Sequence, residues 1–344
     1  MEGDFCFIME VFGATRAELE ELAVKLGEPK YRGGQLADWI YKKDADDFDE
    51  MTNLPLSFRQ KLEKSALLTR SKIVKRSTSR DGTAKFLLEL ADGQQIESVL
   101  LPYEDRVTVC VSTQVGCAAG CQFCATAIGG FIRNLTPGEI IDQVLTLQRE
   151  AGRRVTNVVY MGMGEPLLNY DAVLASIRLL NSEVGISMRK ITVSTVGIVP
   201  RIKKLQSEDL QLTLAISLHA PDDDLRRRLI PLAERYPLNE LMSACREYAK
   251  ATSRRVTYEY LLLAGVNDSP VHARKLTELL KGMLANVNLI PYNEVCGKHY
   301  RRPKSAAVNA FREVLEQAGI EVTQRLERGH AVSAACGQLR GSVK

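Results

Sequence analysis

Hydrophobic and polar residues recur along this 344-residue chain with two different periods. Between about residues 12 and 65 the apolar positions return every three to four residues, which predicts short amphipathic helices. Thr15 and Glu18 precede the first of these runs with the spacing of a helix-capping box. From 70 to 103 the period falls to two, and the runs are separated by Arg80-Asp-Gly and Ala91-Asp-Gly. This pattern predicts antiparallel strands joined by tight turns.

Beyond residue 103 short apolar runs alternate with helical stretches, and two helices begin at Pro137 and Pro270, each preceded by Thr or Ser. Regular alternation requires a parallel sheet with right-handed crossovers. The predicted strands lie near 107–113, 155–161, 190–195, 210–218, 255–263 and 285–291, with a seventh at 320–326. Six or seven such units favour an α/β fold built as a partial, (βα)6-type barrel over a closed eight-stranded one.

These patterns divide the chain into four predicted segments. They are a helical module at 1–68, a β-strand extension at 69–102, a barrel core at 103–335 and a tail at 336–344. With 45% hydrophobic and 26% charged residues, the composition is typical of a soluble globular protein. We find no apolar run long enough for a bilayer, and no signal peptide pattern in Met1–Cys6. We therefore expect a cytoplasmic protein that makes no membrane contact.

The net charge is only +4, but the cationic excess lies in the C-terminal region 290–344. Its densest part is the segment Lys298-His-Tyr-Arg-Arg-Pro-Lys304, where aromatic rings stand between cations as in phosphate-contacting loops. A solvated loop explains the same pattern equally well. Four cations of the predicted helical module can also contact a nucleic acid: Lys30, Arg32, Lys42 and Lys43.

The candidate chemistry is concentrated in three cysteines, Cys117, Cys121 and Cys124. Gaps of three and two residues let their thiolates face one point on a tight loop, as a metal or iron–sulfur centre requires. A structural zinc site normally closes with four ligands, and no second cysteine pair or histidine pair follows. Three ligands would leave one iron of a cubane open to a small molecule.

Polar residues and glycines stand at the ends of several predicted strands, where the loops of a βα barrel carry its chemistry. They are Gly164, Glu165, Ser194, Ser217, His219 and Asn293. Each alone is a weak signal, because tight turns and core histidines are common. Glu97 lies within a predicted strand close in sequence to the cysteines, which makes it a candidate acid or base. Cys336 lies among small residues that leave room around its sulfur.

These motifs resemble the RlmN family of dual-specificity RNA methyltransferases, within the radical S-adenosylmethionine (SAM) superfamily. The resemblance rests on Gly116-Cys-x-x-x-Cys-x-x-Cys, Met161-Gly-Met-Gly-Glu-Pro-Leu, Ser217-Leu-His, Pro291-Tyr-Asn293 and Ala334-Ala-Cys336-Gly-Gln-Leu. It implies a [4Fe-4S] cluster on Cys117, Cys121 and Cys124, and two SAM molecules per turnover. The residues that the resemblance assigns to SAM are Gly164, Glu165, Ser194, Ser217, Leu218, His219 and Asn293.

The resemblance also implies a reaction at C2 of adenosine, in 23S rRNA and in tRNA next to the anticodon on its 3′ side. Cys336 would carry the methyl group as S-methylcysteine, and Cys110 would resolve the adduct through a transient disulfide. Glu97 would accept the C2 proton. The expected partners are the two RNAs and a reducing protein of the flavodoxin or ferredoxin type, and we expect a monomer.

Two departures from the family pattern affect substrate preference more than reaction type. Ala127 replaces a usual glycine, and His330-Ala331 replaces a usual x-Asp pair. Two alternatives stay open at the sequence level. One is a Cfr-type enzyme that methylates C8 of the rRNA adenosine, and the other is a metal-stabilised RNA-binding protein without catalysis.

Overall fold

A computed structural model describes residues 8–324, 328–329 and 332–341 of the chain. The helices predicted near the N-terminus are present, between two short strands that pair in parallel. The elements are β1 (Met9–Glu10), α1 (Arg16–Lys25), α2 (Tyr31–Tyr41), α3 (Leu56–Ser65) and β2 (Ala66–Leu67). The predicted capping box forms, because Thr15 Oγ1 accepts from Glu18 N and Glu18 Oε2 accepts from Thr15 N at 2.7 Å.

The predicted β extension is confirmed as three antiparallel strands, which continue directly into the barrel sheet. They are β3 (Lys72–Thr78), β4 (Ala84–Glu89) and β5 (Gln95–Pro102). The last of them also pairs antiparallel with β6 (Val107–Cys110), the first barrel strand. The extension and the barrel therefore share one sheet, and β5 lies beside the strand that leads to the cysteine loop.

Seven parallel strands follow one another across the sheet in chain order, as the alternation of strand and helix predicts. Besides β6, the strands after the extension are β7 (Gln114–Gly116), β8 (Phe131–Asn134), β9 (Asn157–Tyr160), β10 (Ile191–Thr195), β11 (Thr213–Ser217), β12 (Val256–Leu262), β13 (Ala285–Pro291) and β14 (Glu321–Gln324). The small pair β7–β8 stands apart and frames the cysteine loop. In the described residues β14 and β3 form the two open edges, so the barrel is partial.

The first barrel strand is shorter than predicted. Its ladder ends at Cys110 instead of continuing to residue 113. Beyond this point the backbone N–H of Ser112 donates to the Gln143 side chain, at 2.7 Å. The Gln143 side chain, from the helix that follows, thus takes the place of a neighbouring strand as the hydrogen-bond partner of Ser112. The chain then continues toward the cysteine loop. The seventh predicted strand is present at Glu321–Gln324, and residues 325 and 326 lie outside the described part.

Helices cover the outside of the sheet. They are α4 (Pro137–Ala151), α5 (Tyr170–Ser182), α6 (Val199–Leu205), α7 (Asp223–Leu229), α8 (Leu238–Thr252), α9 (Pro270–Leu280) and α10 (Ser305–Gln317). Pro137 and Pro270 open their helices as predicted. In the described part of the chain, no helix has the length and apolarity that crossing a bilayer demands.

A buried ion-pair group attaches the helical module to the barrel. Arg70 lies between Asp44 of the module and Asp142 of α4, at N–O distances of 2.7 and 2.9 Å. Arg70 and Asp44 are about one-tenth exposed, and Asp142 is still more deeply buried. Because the group is buried, disrupting it costs more than losing a surface pair, and Arg149 extends the group by pairing with Asp44 at 3.0 Å. The module is therefore held in a defined place against the barrel wall.

Candidate active site

One large cavity opens where the parallel strands end, with a volume of about 570 Å³. This is within the size range of small-ligand sites, and the carboxyl ends of parallel strands are where such folds bind ligands. Most predicted site residues line it: Cys110, Cys117, Cys121, Cys124, Gly164, Glu165, Ser194, Ser217, His219, Asn293 and Cys336. Two predicted residues, Glu97 and Leu218, are not among its lining residues.

The cysteine loop is closed by hydrogen bonds from its own backbone. The N–H of Cys117 donates to Gly130 O at 2.7 Å, and that of Cys124 donates to Cys121 O at 3.2 Å. Burial raises the pKa of the Cys117 thiol to about 12 and that of Cys121 well above its usual value. Binding of cationic iron would have to offset this penalty on the thiolates, as metal binding generally does.

The three thiols supply one ligand fewer than a closed structural zinc site. Among the residues with described positions, no three Cys, His, Asp or Glu side chains are grouped closely enough to hold one metal ion. In a [4Fe-4S] cluster each thiolate binds a different iron, so three thiolates leave the fourth iron open. The number and sequence spacing of the cysteines are therefore compatible with a cubane.

Glu165 is a buried residue whose carboxylate accepts from two backbone amides and whose own N–H is also hydrogen-bonded. Its own N–H donates to Gln114 Oε1 at 2.9 Å, while its carboxylate accepts from Leu167 N at 3.0 Å and Val196 N at 2.8 Å. Burial raises the pKa of this carboxyl to about 6, although the hydrogen bonds oppose the shift. Near neutral pH it is ionised at the cavity wall, where it can hold an ammonium group.

Hydroxyl groups from two neighbouring strands meet beside Glu165. The Oγ atoms of Ser194 on β10 and Ser217 on β11 are 3.2 Å apart, and both residues line the cavity. Leu218 is fully buried, and its backbone N–H donates to Glu259 O at 3.0 Å. Its side chain therefore belongs to the core, and any ligand contact there falls to the backbone.

His219 is held as a neutral imidazole. Its Nδ1 accepts a hydrogen bond from Leu261 N at 3.0 Å, and its ring meets Phe123 of the cysteine loop edge to face at 5.1 Å. Burial, reinforced by the Arg226 cation, lowers the pKa of His219 to about 3. Because Nδ1 is an acceptor, the proton lies on Nε2, which is a donor. Its φ of +58° is a strained value for a non-glycine residue, and such strain is common at functional sites.

Asn293 supplies a buried polar atom without a hydrogen-bond partner. The residue is 4% exposed and lines the cavity, yet its Oδ1 makes no hydrogen bond to any described residue. A buried acceptor left unsatisfied costs about 1–3 kcal/mol, and because this residue lines the cavity, a water molecule or a ligand there can satisfy it. An amide oxygen matches the amino group of an adenine. This residue, with Glu165 and the cysteine loop, fits a bound SAM.

The tail brings Cys336 into the same cavity as Cys110. It is held there by the cysteine loop, because Ala125 N donates to Gly337 O at 2.7 Å and Thr126 Oγ1 donates to Leu339 O at 2.6 Å. Cys110, near the start of the barrel core, and Cys336, in the tail, therefore line the same cavity. The tail is described only as far as residue 341.

Glu97 lies beneath this tail. Its Oε1 is 2.8 Å from Lys85 Nζ, and its Oε2 accepts the backbone N–H of Arg340 at 2.7 Å. It is 7% exposed, and it points to the same face of β5 as the cavity-lining Val99. Each oxygen keeps a second lone pair, so the carboxylate can still accept a proton, and protonation would weaken its contacts with Lys85 and Arg340.

Sequence reasoning missed several residues that shape the site. Gln114 holds Glu165, Lys85 holds Glu97, and Arg226 lies fully buried behind the cysteine loop. Lys85 and Arg226 look in sequence like ordinary surface cations, so no local pattern separates them from solvated residues. Of the two departures, Ala127 is half-buried just after the cysteines, and His330-Ala331 lie outside the described residues.

Comparison with known proteins identifies two family models in this chain. Residues 111–276 match the radical SAM superfamily, and residues 9–68 match the N-terminal domain of ribosomal RNA large subunit methyltransferases. The first range includes the cysteine loop and β9 to β12, and the second coincides with the helices before the extension. The two matches therefore cover the front of the chain and most of the barrel.

Whole-chain relatives share about half of the sequence. A probable dual-specificity RNA methyltransferase RlmN from Symbiobacterium thermophilum is 52% identical, with 96% of this chain and 91% of the relative covered. Another with the same description, from Synechococcus elongatus, is 50% identical, with 96% and 93% covered. The crystal structure of a radical SAM methyltransferase from Sphaerobacter thermophilus superposes with a TM-score of 0.93 at 49% identity, covering 96% of this chain and 99% of that one.

Proposed function

Because the chain belongs to the RlmN family of radical SAM RNA methyltransferases, we propose that it methylates C2 of adenosine in 23S rRNA and in tRNA. Membership of the radical SAM superfamily implies that the protein uses a [4Fe-4S] cluster and SAM. The observation that carries the proposal is the single cavity shared by the cysteine loop, Cys110 and Cys336. Neither a simple SAM-dependent methyltransferase nor a metal-stabilised binding module has a use for two further thiols in that place.

Cys117, Cys121 and Cys124 would hold the cluster, leaving one iron open for SAM. When bound, the cluster supplies the electron that cleaves SAM and starts the radical reaction. Glu165 would hold the ammonium group of SAM, the Asn293 amide oxygen would accept from its adenine, and the Ser194 and Ser217 hydroxyls would contact its polar groups. Gly164, Leu218 and His219 complete the proposed SAM contacts, with Leu218 acting through its backbone.

Cys336, Glu97 and Cys110 would transfer the methyl group to C2 of the adenine. C2 of adenine has no lone pair to attack a methyl sulfonium, so the carbon must first be attached to a protein sulfur. Cys336 would accept the methyl group of one SAM through its thiolate. That methyl group would lose one hydrogen atom to the adenosyl radical formed from the second SAM, and its carbon would then bond to C2. The C2 hydrogen would leave as a proton to Glu97. The Cys110 thiolate would then attack the sulfur of Cys336, so that the electron pair of the broken sulfur–carbon bond goes to the carbon, which takes up a proton and becomes the methyl group. The unpaired electron would return to the cluster, and the disulfide left between the two cysteines would be reduced by the electron donor.

RNA binding is supported by a cationic loop beside the cavity. Tyr300 packs edge to face on the buried Tyr292, with ring centroids 6.2 Å apart, and Tyr292 Oη donates to Phe123 O at 3.3 Å. The same loop carries Lys298, an exposed Arg301 and Lys304 near the cavity rim. These cations would bind phosphates while the target adenine is flipped into the cavity.

The helical module at 1–68 would hold a second part of the RNA. Within it, Lys43 Nζ lies 3.6 Å from the centroid of the Trp39 ring, in a cation–π contact. The extension at 69–102, the core at 103–335 and the tail at 336–344 would then act as one catalytic unit. We further propose a monomer in the cytoplasm that receives electrons from a flavodoxin or ferredoxin type of protein.

The decisive experiment identifies the product on both RNAs. Protein reconstituted without oxygen would be incubated with SAM, a chemical reductant, and either a 23S rRNA fragment or tRNA, and digested nucleosides would be analysed by mass spectrometry. We expect 2-methyladenosine, carried by protein that binds about four irons per chain. If 8-methyladenosine is the sole product, the Cfr-type alternative is correct. If the protein binds zinc and no iron, the non-catalytic alternative is correct.

A further inference from the structure

Arg226 is a buried cation of α7 whose hydrogen bonds go to backbone carbonyls. It is 1% exposed. Its Nε donates to Leu218 O at 3.3 Å, its Nη1 to Tyr236 O at 3.4 Å, and its Nη2 to Val196 O. These acceptors satisfy the guanidinium as a donor, but they carry no net charge to balance it.

No carboxylate pairs with this guanidinium within 4.0 Å among the residues that the structure describes. The carboxyl group that interacts with it most strongly is Asp223, at longer range, and Asp223 Oδ1 accepts instead from Leu238 N at 2.9 Å. Burial lowers the pKa of Arg226 to about 10, which still leaves it charged at neutral pH. A charge taken out of water without a counter-charge is strongly disfavoured, so an anion is expected nearby.

The cysteine loop is packed directly against the end of α7. Gln122 N donates to Leu229 O at 2.9 Å, and a methyl group on Gly120 would lie 3.7 Å from Pro231 Cγ. Arg226 also interacts electrostatically with the Cys121 thiol, and a thiolate there would feel its charge. The unbalanced cation therefore lies behind the residues proposed to hold the cluster.

We propose that Arg226 is the internal counter-charge of the iron–sulfur cluster and raises its reduction potential. This inference rests on the proposed function, in which Cys121 is a cluster ligand. A cubane on three thiolates is an anion, and its reduction adds one more negative charge. A cation buried close to it stabilises the reduced form more than the oxidised form, because charges interact strongly in a low dielectric.

A purely structural role is the competing explanation, because the same guanidinium joins two loops of the site. Val196 O and Leu218 O belong to the segments after β10 and β11, next to Glu165 and His219 respectively. Loss of these bonds would lower stability and disturb SAM binding without any effect on the cluster's potential. The test must therefore distinguish the effect of the positive charge from that of the hydrogen bonds to the two loops.

The experiment compares the reconstituted wild-type protein with Arg226→Gln, Arg226→Lys and the control Arg227→Gln, an exposed charge on the same helix. Iron content is measured first, and the midpoint potential of the cluster is then determined by a redox titration followed by electron paramagnetic resonance. Arg226→Gln is expected to make reduction on the order of tenfold less favourable, a shift of about 59 mV toward negative potential. Arg226→Lys and Arg227→Gln are expected to keep the wild-type potential, since solvent screens Arg227.

Each outcome decides the matter. An Arg226→Gln protein that holds iron at the wild-type potential, with a lower melting temperature only, overturns the inference and leaves the proposed function intact. If Arg226→Gln does not retain iron, Arg226→Lys decides: retention of iron at the wild-type potential by the charged variant alone supports the counter-charge, and loss of iron from both variants assigns the effect to the carbonyl contacts and overturns the inference. Failure of the wild-type protein to bind iron would instead overturn the proposed function itself.

Discussion

The carboxylate of Glu97 accepts the backbone N–H of Arg340 at 2.7 Å, and thereby fastens the tail to β5. Its other oxygen is paired with Lys85 at 2.8 Å. The residue proposed to accept the substrate proton is thus one of those that hold the tail bearing Cys336, together with Ala125 and Thr126. Protonation of Glu97 would weaken its charge-assisted contacts with Lys85 and Arg340, which links the chemical step to the position of the tail.

Replacing Glu97 by Gln separates the two roles of this residue. The amide oxygen of Gln can still accept from Arg340 N, but it cannot take up the proton. We expect methyl transfer to slow by about 10²–10⁴-fold, the usual contribution of a general base, while the Arg340 amide stays protected from hydrogen exchange. Full activity in this variant would show that Glu97 serves only as a tail contact.

Replacing Lys85 by Met tests whether that cation orients Glu97. The carboxylate would then be held by the Arg340 N–H alone, and we expect about tenfold slower methyl transfer from the poorer geometry. Lys75→Met, at an exposed position of the neighbouring strand β3, is the matched control and is expected to retain wild-type activity. Equal rates in the two variants would remove Lys85 from the site.

Cys110 and Cys336 are expected to give different defects. Cys336→Ala should abolish methyl transfer because no sulfur accepts the methyl group. Cys110→Ala should instead accumulate a covalent protein–RNA adduct, because nothing breaks the bond between Cys336 and the new carbon. A denaturing gel before and after RNase shows the adduct, and Cys296→Ala, an exposed cysteine outside the cavity, is the control. An absence of adduct in Cys110→Ala would contradict its assigned role.

Two glycines of the cysteine loop allow a matched comparison. Gly116 and Gly130 both have positive φ, +76° and +68°. A methyl group on Gly116 would lie only 2.0 Å from Gly130 O, whereas one on Gly130 meets nothing within 4 Å. Gly116→Ala should therefore prevent the loop from closing and lose most bound iron, while Gly130→Ala, which meets backbone strain but no clash, should cost about 1–3 kcal/mol of stability and retain it. Iron content and thermal unfolding measure both effects.

His219 makes the stability of the cluster-free protein depend on pH. Its folded pKa of about 3 lies below the usual 6.5, so the unfolded chain binds more protons between these values. The stability associated with its neutral form is complete above pH 6.5 and is lost as the pH falls toward 3. His219→Asn keeps an acceptor for Leu261 N and tolerates the positive φ. Denaturant unfolding between pH 4 and 7 should show a shallower decline in the variant, and an identical slope would contradict the neutral buried imidazole.

Local patterns predicted the parts of this fold that depend on neighbours in sequence. The capping box at Thr15, the turns between β3, β4 and β5, and the proline-led helices α4 and α9 all follow from short-range periodicity and turn chemistry. The first barrel strand was predicted too long because a side chain from α4, Gln143, takes over its backbone hydrogen bonds. Propensity in a single strand contains no information about that contact.

The sequence by itself determined the strand–helix alternation, the spacing of the cysteine loop and the family resemblance. Each of these depends on motifs or patterns formed by residues that are close together in the chain. Only the tertiary structure decided that Cys336 shares a cavity with Cys110, that Glu97 holds Arg340, and that Arg226 is buried with no carboxylate partner among the described residues. These relations depend on which distant segments the packed sheet brings together. Burial then sets the energy of each charge, and an arginine in solvent and an arginine behind a cluster look the same in sequence.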